Sequence, residues 1–147
     1  MNVKECMNTN VCYCTPGTKI SEVAKLMKMN HIGCIPVCND SKEVVGLVTD
    51  RDIILRSVAC DKDANTTPVS DIMTCNVCCC DCNNDVTEAT NLMSELQVRR
   101  IPIVEENKII GILTLGDIIN ETKVGNKQTE ETVGHICNCS HNPKNAE

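Results

Sequence analysis

The chain repeats one of its own stretches, and this duplication constrains the fold more than any other feature. Residues 98–117 read VRRIPIVEENKIIGILTLGD, and residues 31–52 read HIGCIPVCNDSKEVVGLVTDRD. The copies are 66 residues apart at Pro36 and Pro102 but only 65 apart at their final aspartates, so the turn inside the second copy is one residue shorter. Self-similarity at a fixed spacing predicts an architecture built from repeated supersecondary units.

Each repeat shows the same order of predicted elements, β-α-β-β-α. A short first strand precedes a helix whose buried face is marked by apolar residues at helical spacing. Two apolar strands joined by a polar turn follow, and Thr-x-x-Asp opens a closing helix. In the first repeat Thr18 occupies the position of a helix N-cap. The predicted strands are residues 11–14, 35–38 and 44–49, then 77–80, 101–104 and 109–114, and the predicted helical faces are Ile20, Val23, Ala24 and Met27, then Val86, Ala89, Thr90 and Met93.

The repeat also predicts the domain organisation of an α+β protein. The first unit spans residues 3–59, a polar linker covers 60–68, and the second unit spans 69–120. Because each unit is too small to bury its own sheet alone, we expect the two to pack on each other about a pseudo-twofold axis. Residues 121–147 lie outside the repeat and are predicted to form a C-terminal helix, over 129–137, and a tail.

Composition and charge argue against several classes of partner. The net charge is −6, which disfavours broad electrostatic binding to nucleic acid or anionic membranes. The chain has one Tyr and no Phe or Trp, so it offers no aromatic platform on which bases could stack. It shows neither the apolar leader of a signal peptide nor a run of about 20 apolar residues. These features predict a cytoplasmic protein that binds neither nucleic acid nor membranes.

The most informative polar residues lie where a strand turns directly into a helix, at Thr49 and Asp52 and again at Thr114 and Asp117. A helix N-terminus presents free backbone N–H groups to an anion, and a neighbouring Thr hydroxyl adds a donor. A carboxylate three residues later can accept hydrogen bonds from both hydroxyls of a ribose, as acidic residues do in dinucleotide folds. Thr-x-x-Asp is also a capping box, in which both side chains bond helix N–H groups and nothing is bound. The two interpretations are compatible, since a capped helix positions its carboxylate.

The paired pattern resembles a known family. Ile-Pro-Val or Ile-Pro-Ile, then Val-Gly-Leu-Val-Thr or Ile-Gly-Ile-Leu-Thr, then x-x-Asp-Ile, is similar to cystathionine-β-synthase-type (CBS) domains. The Val-x-x-x-Met openings of the repeats, including VSDIMT, match as well. The pair resembles a Bateman module, and its layout, with TDRDI and QVRRIP, is similar to stand-alone bacterial proteins of the hypoxic-response type. The resemblance implies a regulatory module that binds AMP, ADP, ATP or another adenosyl ligand in clefts between the repeats and requires no cofactor.

The resemblance also implies roles for individual residues. Asp52 and Asp117 would hold ribose, and the threonines three residues before them would contact phosphate. The Ile-Pro dipeptides would line the adenine side, and valines of the first strands would approach it. The arginines occur at different positions in the two copies, so the clefts should differ. Arg51 offers a partner for phosphate, and Arg99 and Arg100 could bind phosphate or remain solvated surface residues. The implied ligand-binding residues are Val11, Ile35, Pro36, Thr49, Asp50, Arg51, Asp52, Val77, Arg99, Arg100, Ile101, Pro102, Thr114 and Asp117.

The cysteines offer an alternative site. There are 13, an odd number, and in a reducing compartment they would not form a disulfide scaffold. Structural zinc needs four converging nitrogen or sulfur ligands, whereas cysteines recurring at equivalent strand positions are typical of small apolar core residues. Redox sensing would require an exposed thiol of low pKa. The candidate metal ligands are Cys75, Cys78, His135, Cys137, Cys139 and His141.

No catalytic constellation stands in a recognisable motif, so we predict that the chain is not an enzyme. The favoured function is regulatory sensing of an adenine nucleotide by a homodimer that acts on an unidentified partner protein. Sensing of this kind requires the ligand to bind one arrangement of the protein better than another. The alternatives are a cysteine-based metal-binding or redox-responsive protein and a ligand-free structural interaction module.

Overall fold

A computed structural model describes residues 1–122 of the chain. The predicted C-terminal helix over 129–137 and the tail lie outside these residues. The regular elements of the described part, apart from two single 3₁₀ turns, are α1 (Val3–Cys6), α2 (Ile20–Asn30), β1 (Cys34–Cys38), β2 (Val44–Thr49), α3 (Asp50–Arg56), β3 (Cys80–Asp81), α4 (Val86–Leu96), β4 (Arg100–Glu105), β5 (Lys108–Thr114) and α5 (Leu115–Thr122).

The contacts within the chain divide it into two compact units. The first, here called the Thr49 unit, contains Val11–Cys78 and Glu106–Ile109. The second, here called the Thr114 unit, contains Met1–Asn10, Cys79–Glu105 and the chain from Ile110. The segment that opens each repeat therefore belongs to the unit formed mainly by the other repeat. The linear boundaries and the pseudo-twofold axis expected from the duplication stay predictions.

Helix α2 supplies one wall of the core of the Thr49 unit. Ile20, Val23 and Met27 are buried, as their helical spacing predicts, whereas Ala24, the remaining residue of the predicted face, is exposed. All five residues of β1 are buried. Ile35 and Val37 of β1 pack in one cluster with the buried residues of α2, with Val48 of β2 and with the segment around Ile72.

The sheet of the Thr49 unit has two strands, with β1 antiparallel to β2. The predicted first strand, residues 11–14, is reduced to one parallel bridge beside β1. At this bridge the N–H of Cys14 donates to the carbonyl of Pro36 (3.0 Å), and the N–H of Cys38 donates to the carbonyl of Cys14 (2.8 Å). A strand needs a partner along its length, and here only one residue finds one.

The Thr114 unit has a three-stranded sheet in the order β3-β4-β5. β3 runs parallel to β4, with Cys80 opposite Ile103. The predicted strand 77–80 is shorter and later than expected, since β3 covers only two residues. Val86, Ala89 and Met93 of α4 pack in one core cluster with residues of the sheet. The four residues whose spacing predicts a buried face are all buried, so this prediction is confirmed: Val86, Ala89, Thr90 and Met93.

The two 11-residue helices begin differently. The N-cap of α2 is Lys19, whose side chain makes no capping hydrogen bond, so the prediction of Thr18 as the cap is wrong. The Thr18 hydroxyl instead accepts a hydrogen bond from the N–H of Thr15 (3.1 Å) within the preceding turn. Helix α4 begins after Asp85, whose Oδ1 accepts a hydrogen bond from the N–H of Thr87 (2.8 Å).

A methionine lies on a glycine of the sheet in each unit. A Cβ at Gly46 of β2 would lie 2.6 Å from Sδ of Met73, and a Cβ at Gly111 of β5 would lie 2.6 Å from Sδ of Met7. Real Cβ atoms do not approach sulfur this closely, so with a larger residue at either position the methionine side chain would have to shift. The glycines therefore allow the methionines to pack closely against the strands.

Helices and strands thus mix within both units, which confirms the predicted α+β class. The longest helices of the described residues, α2 and α4, have 11 residues each. No helix within residues 1–122 is long and apolar enough to cross a membrane.

Candidate functional site

Both strand-to-helix junctions contain the same capping box. In the Thr49 unit, Oγ1 of Thr49 accepts a hydrogen bond from the N–H of Asp52 (3.1 Å), and Oδ2 of Asp52 accepts one from the N–H of Thr49 (3.0 Å). In the Thr114 unit, Thr114 and Asp117 make the two equivalent bonds at 3.1 and 3.0 Å. The capping interpretation of the Thr-x-x-Asp pattern is confirmed in both copies.

The capping bonds leave some hydrogen-bond donors and acceptors of each Thr and Asp side chain unused. A Thr hydroxyl that accepts one hydrogen bond still has its own O–H to donate. A carboxylate offers about four lone-pair sites on two oxygens, and its bond to the Thr N–H involves only Oδ2. Capping and ligand binding are therefore compatible, and the remaining capacity of each carboxylate depends on the groups around it.

The carboxylate of Asp52 has further partners inside the Thr49 unit. Oγ1 of Thr74 lies 3.4 Å from Oδ1 and 3.3 Å from Oδ2, and Nε of Arg56 lies 3.8 Å from Oδ1. Arg56 also donates to the carbonyls of Ile72 (3.3 Å) and Met73 (3.4 Å). The Asp52 side chain is only 11% exposed. Carboxylate and guanidinium together hold the segment that leads into Thr74.

The repeat places different residues around Asp117. The position of Thr74 is taken by Asn8, whose Oδ1 accepts a hydrogen bond from the N–H of Asn10 (2.9 Å). The position of Arg56 is taken by Glu121, which is exposed. Asp117 is half-buried, and within residues 1–122 no group donates a hydrogen bond to its Oδ1.

Arg56 and Thr74 are the site residues that sequence reasoning missed. Arg56 follows Asp52 by four residues, and this i, i+4 spacing is a signal that an ion pair is possible on a helix. Thr74 lies 22 residues away from Asp52 in sequence. No local pattern joins them, so only the structure could reveal this contact.

Asp50 has a structural partner at its own junction. Its N–H donates to the carbonyl of Gly33 (2.9 Å), and its Oδ1 accepts from the N–H of Arg51 (2.8 Å). A Cβ at Gly33 would lie 2.8 Å from Oδ2 of Asp50, so a larger residue there would make this carboxylate shift. In the Thr114 unit Leu115 donates in the same way to the carbonyl of Arg99 (2.8 Å). Leu115 has no carboxylate, so the close contact between Asp50 and Gly33 has no counterpart beside Arg99.

The predicted adenine-side residues are mostly core residues. Ile35 and Ile101 are 0% and 1% exposed and belong to the hydrophobic clusters of their units. Pro36 and Pro102 are also buried. The isoleucine side chains are therefore almost entirely withdrawn from the surface.

The structure divides the predicted ligand-binding residues between the two units. Val77, expected to serve the second copy, is half-buried and lies in the Thr49 unit. Arg51 and Arg99 are exposed, and Arg100 is half-buried. The Thr49 unit holds Val11, Ile35, Pro36, Thr49, Asp50, Arg51, Asp52 and Val77, and the Thr114 unit holds Arg99, Arg100, Ile101, Pro102, Thr114 and Asp117.

The candidate metal ligands are only partly within the described residues. Cys75 and Cys78 are exposed, and no three His, Cys, Asp or Glu side chains of residues 1–122 converge as a metal site. The other four candidates lie outside the described residues: His135, Cys137, Cys139 and His141.

Several thiols are held in their neutral form. Burial raises the pKa of Cys14 to about 12, and the neighbouring Cys38 and Cys12 add to the effect. Burial also raises the pKa of Cys6, and the negative charges of Glu121 and Asp117 raise it further. A thiol with a raised pKa is a poor nucleophile and suits packing better than redox chemistry. The same direction of pKa shift, with burial as its main cause, applies to Cys12, Cys80 and Cys82.

The sequence matches known proteins along most of its length. The CBS domain family matches residues 3–59 and 69–123. The CBS domain-containing protein YhcV of Bacillus subtilis is 38% identical over 141 residues, which cover 95% of this chain and 96% of that protein.

Solved structures share the fold. The crystal structure of Hypoxic Response Protein I, with two coordinated zinc ions, superposes with a TM-score of 0.76 at 31% identity, covering 82% of this chain and 98% of that one. The crystal structure of CBSX2 in complex with AMP superposes with a TM-score of 0.72 at 25% identity, covering 83% and 96%. The family match falls on both repeats and thus on the two Thr-x-x-Asp junctions. The chain therefore belongs to the CBS domain family and contains a pair of these domains.

Proposed function

We propose that this CBS pair is a regulatory module that binds AMP, ADP, ATP or a related adenosyl compound and passes its bound state to a partner protein. The observation that carries the proposal is the pair of junctions at which a Thr hydroxyl and an Asp carboxylate stand together at a helix start. Ribose hydroxyls suit a carboxylate acceptor, and phosphate suits hydroxyl and guanidinium donors. The AMP bound by CBSX2, 25% identical to this chain, supports the same ligand class.

Regulation requires the ligand to prefer one arrangement of the chain. Contacts at a junction act directly on the closing helix, α3 or α5. Both helices carry an exposed apolar residue at the equivalent position, Ile54 (57% exposed) and Ile119 (42%). Binding at the junction can thus change what the chain presents at its surface.

The exposed apolar residues of α3 and of the turn that follows it also support self-association. Ile54, Leu55 and Val58 are 57%, 45% and 66% exposed and lie within five residues of each other. Grouped apolar side chains of this kind mark interaction surfaces. A second copy of the chain is the occupant we propose, and light scattering should then give twice the chain mass for the wild type and the chain mass for Ile54→Glu.

Ligand binding can be tested with little background. The chain has one Tyr and no Trp or Phe, so co-purified nucleotide would dominate the near-ultraviolet spectrum at 260 nm. After removal of any bound ligand, AMP at about 100 times its Kd should raise the free energy of unfolding by about 2.7 kcal/mol, which for a chain of this size raises Tm by several degrees.

The matched variants for this test either remove both junction carboxylates, Asp52 and Asp117, or leave both in place. The double variant Asp52→Asn with Asp117→Asn should lose the ligand-induced rise in Tm, whichever junction the ligand uses. Asp40→Asn alters an exposed turn carboxylate and should keep it. If AMP, ADP, ATP and S-adenosylmethionine all leave Tm unchanged, the sensing function is wrong and a ligand-free interaction module becomes the better description.

A second candidate function is metal binding by the cysteines. It is favoured by the two zinc ions of Hypoxic Response Protein I, which is 31% identical to this chain. Metal analysis of the purified protein decides it: stoichiometric zinc that falls in a Cys75→Ser, Cys78→Ser variant would establish the candidate, and its absence would remove it.

A further inference from the structure

Five cysteines lie within residues 75–82, and they differ in their exposure. Cys75 and Cys78 are exposed, whereas the three that follow are half-buried or buried: Cys79, Cys80 and Cys82. We infer that Cys75 and Cys78 form a reversible intramolecular disulfide by exchange with a small soluble disulfide, such as oxidised glutathione. The inference goes beyond the proposed function, because it does not depend on nucleotide binding.

The first step concerns access to the reagent. Exchange begins when a thiolate attacks a sulfur of the disulfide, so the attacking cysteine has to reach solvent. Cys75 and Cys78 meet this condition. Cys14 and Cys80 do not, because both are buried, and burial raises the pKa of both thiols. Exchange is therefore directed to the exposed pair and away from the core.

The second step concerns the backbone between the two cysteines. In an extended segment, Cα atoms three residues apart are separated by about 10 Å, whereas a disulfide joins residues whose Cα atoms lie within about 7 Å. The chain bends at Asn76, whose φ is 59°, and asparagine visits this left-handed conformation more readily than most residues. No hydrogen bond within residues 1–122 involves Cys75 or Cys78, so bringing the two together breaks none.

The first repeat supplies a comparison within the same chain. At the spacing of 66 (78 − 12), Cys78 corresponds to Cys12, whereas Cys75 corresponds to Thr9. The asparagine between them recurs as Asn10, but the chain does not bend there and φ is not positive. The second thiol and the bend therefore occur together, in the second copy only, and neither follows from the duplication.

The third step concerns the partner of each thiol. The entropic cost of closing a loop grows with its length, and the loop between Cys75 and Cys78 encloses only two residues. Cys60, the other exposed thiol of the described residues, lies 15 residues (75 − 60) before Cys75, and its Sγ donates to the carbonyl of Leu55 (3.5 Å). We expect exchange at Cys60 to stop at a mixed disulfide.

The reaction consists of two exchange steps. The thiolate of one cysteine attacks a sulfur of the small disulfide, whose S–S bond breaks, and one small thiol leaves with the proton that the cysteine lost. The thiolate of the other cysteine then attacks the protein sulfur of this mixed disulfide and expels the second small thiol with its proton. The protein gives up two electrons and two protons, and the small disulfide gains them. Excess dithiothreitol reverses the reaction.

The disulfide closes the segment at which the chain leaves the Thr49 unit. Thr74 is held to β2 by two backbone hydrogen bonds with Leu47 (2.9 and 2.8 Å), and the Thr114 unit begins again at Cys79. The loop lies between these points and encloses the half-buried Val77. Oxidation of this pair therefore fixes a connecting segment while the cysteines of both cores stay reduced.

Peptide-resolved mass spectrometry of the full chain tests the inference. The protein is first freed of metal with EDTA, because the same two thiols are candidate zinc ligands, and is then incubated with oxidised glutathione and alkylated before digestion. The wild type should lose the free thiols of Cys75 and Cys78 together, carry glutathione on neither, and recover both after dithiothreitol. Circular dichroism before and after oxidation should show an unchanged fold.

Serine variants identify the two partners. Cys75→Ser and Cys78→Ser each leave one thiol of the pair, which should retain one glutathione because no second thiol displaces it. Cys60→Ser is the matched control, since it removes an exposed thiol of the same unit and should form the disulfide to the same extent as the wild type. If a variant of the pair fails to fold, the peptide map of the wild type decides alone.

Three results would overturn the inference. They are glutathione on both Cys75 and Cys78 of the wild type, free thiols at both positions, and a bond from either cysteine to a different one. Release of glutathione from Cys75→Ser or Cys78→Ser as readily as from the wild type would also count against it. The proposed function fails by another result, the lack of any adenosyl ligand, so the two are judged separately.

Discussion

The two units of the molecule match in their backbone geometry and differ in the side chains around it. Both close their second long strand with a capping box of the same distances, and both seat a methionine on a glycine of the sheet. The partners of the box differ, since Thr74 and Arg56 surround Asp52 while Asn8 and Glu121 occupy the same positions near Asp117. The capping boxes and the methionine–glycine contacts are common to both units and belong to the fold. The residues that differ between the copies are those that can give the two units separate roles.

The largest expected effect tests whether the two cores are equivalent. Ile35→Ala and Ile101→Ala each remove a fully buried side chain at matching positions. Each should lower the free energy of unfolding by about 2–5 kcal/mol, because the removed methyl groups leave a cavity. Urea denaturation followed by far-ultraviolet circular dichroism measures both.

The control for this pair is Met29→Ala, because Met29 is 74% exposed. It should change the free energy of unfolding by no more than about 0.5 kcal/mol. A cost for one isoleucine that is several times the cost for the other would show that the duplicated cores are not packed alike.

The fold could be predicted where the signal is local. The helical spacing of Val86, Ala89, Thr90 and Met93 specifies the buried face of α4, and the apolar run of β2 specifies its bounds at Val44–Thr49. The extent of a strand was predicted wrongly where it depends on pairing with residues that are distant in sequence. The first strand of each repeat pairs over only one or two residues, because little of its length finds a partner.

The candidate site shows the same limit. The capping boxes follow from a four-residue pattern, and the structure contains both. The difference between the boxes depends on Thr74, which lies 22 residues from Asp52 and comes close only through folding. The sequence thus predicts that two similar carboxylates exist, and tertiary contacts determine how much acceptor capacity each retains.

An alkaline pH series should separate the units at a matching pair of cysteines. Burial raises the pKa of Cys14 to about 12. Burial also raises the pKa of Cys80, but the side-chain amide of Asn84 donates to its sulfur (3.6 Å) and opposes the shift. The ordinary pKa of a cysteine is 9.0, so from about pH 9 to about pH 12 the unfolded chain loses a proton that folded Cys14 keeps.

The free energy of unfolding should therefore fall as the pH rises above about 9, by up to about 1.4 kcal/mol per pH unit from Cys14 alone. Urea denaturation between pH 8 and pH 11 measures this slope. Cys14→Ala should flatten the slope more than Cys80→Ala does. Equal slopes in the wild type and in Cys14→Ala would show that this thiol does not control alkaline stability.

The smallest expected effect concerns the starts of α2 and α4. Lys19 and Asp85 have the same N-cap conformation (φ −71°, ψ 147°), but only Asp85 caps its helix with a side chain. Lys19→Asp should therefore raise the free energy of unfolding by about 0.5–1 kcal/mol at pH 7. Part of this gain is offset because the substitution removes the hydrogen bond from Lys19 Nζ to the carbonyl of Thr66 (3.1 Å). Thermal denaturation measures the change.

Asp85→Ala is the reciprocal change, because it removes the side-chain cap of α4. The pH dependence of its effect shows whether the ionised carboxylate stabilises the fold. Hydrogen bonds from Thr87 hold the pKa of Asp85 below its ordinary value, so its contribution is present above the unfolded pKa and is lost as the pH falls through the folded one. Asp85→Ala should therefore lower Tm at pH 7 and converge with the wild type in acid. The N–H groups of Ile20 and Ser21 at the start of α2 already donate to the carbonyls of Thr67 (3.1 Å) and Ala64 (2.9 Å). If Lys19→Asp leaves Tm unchanged, these bonds satisfy the start of α2 without a side-chain cap. The two helix starts then differ in their chemistry but not in their contribution to the free energy of unfolding.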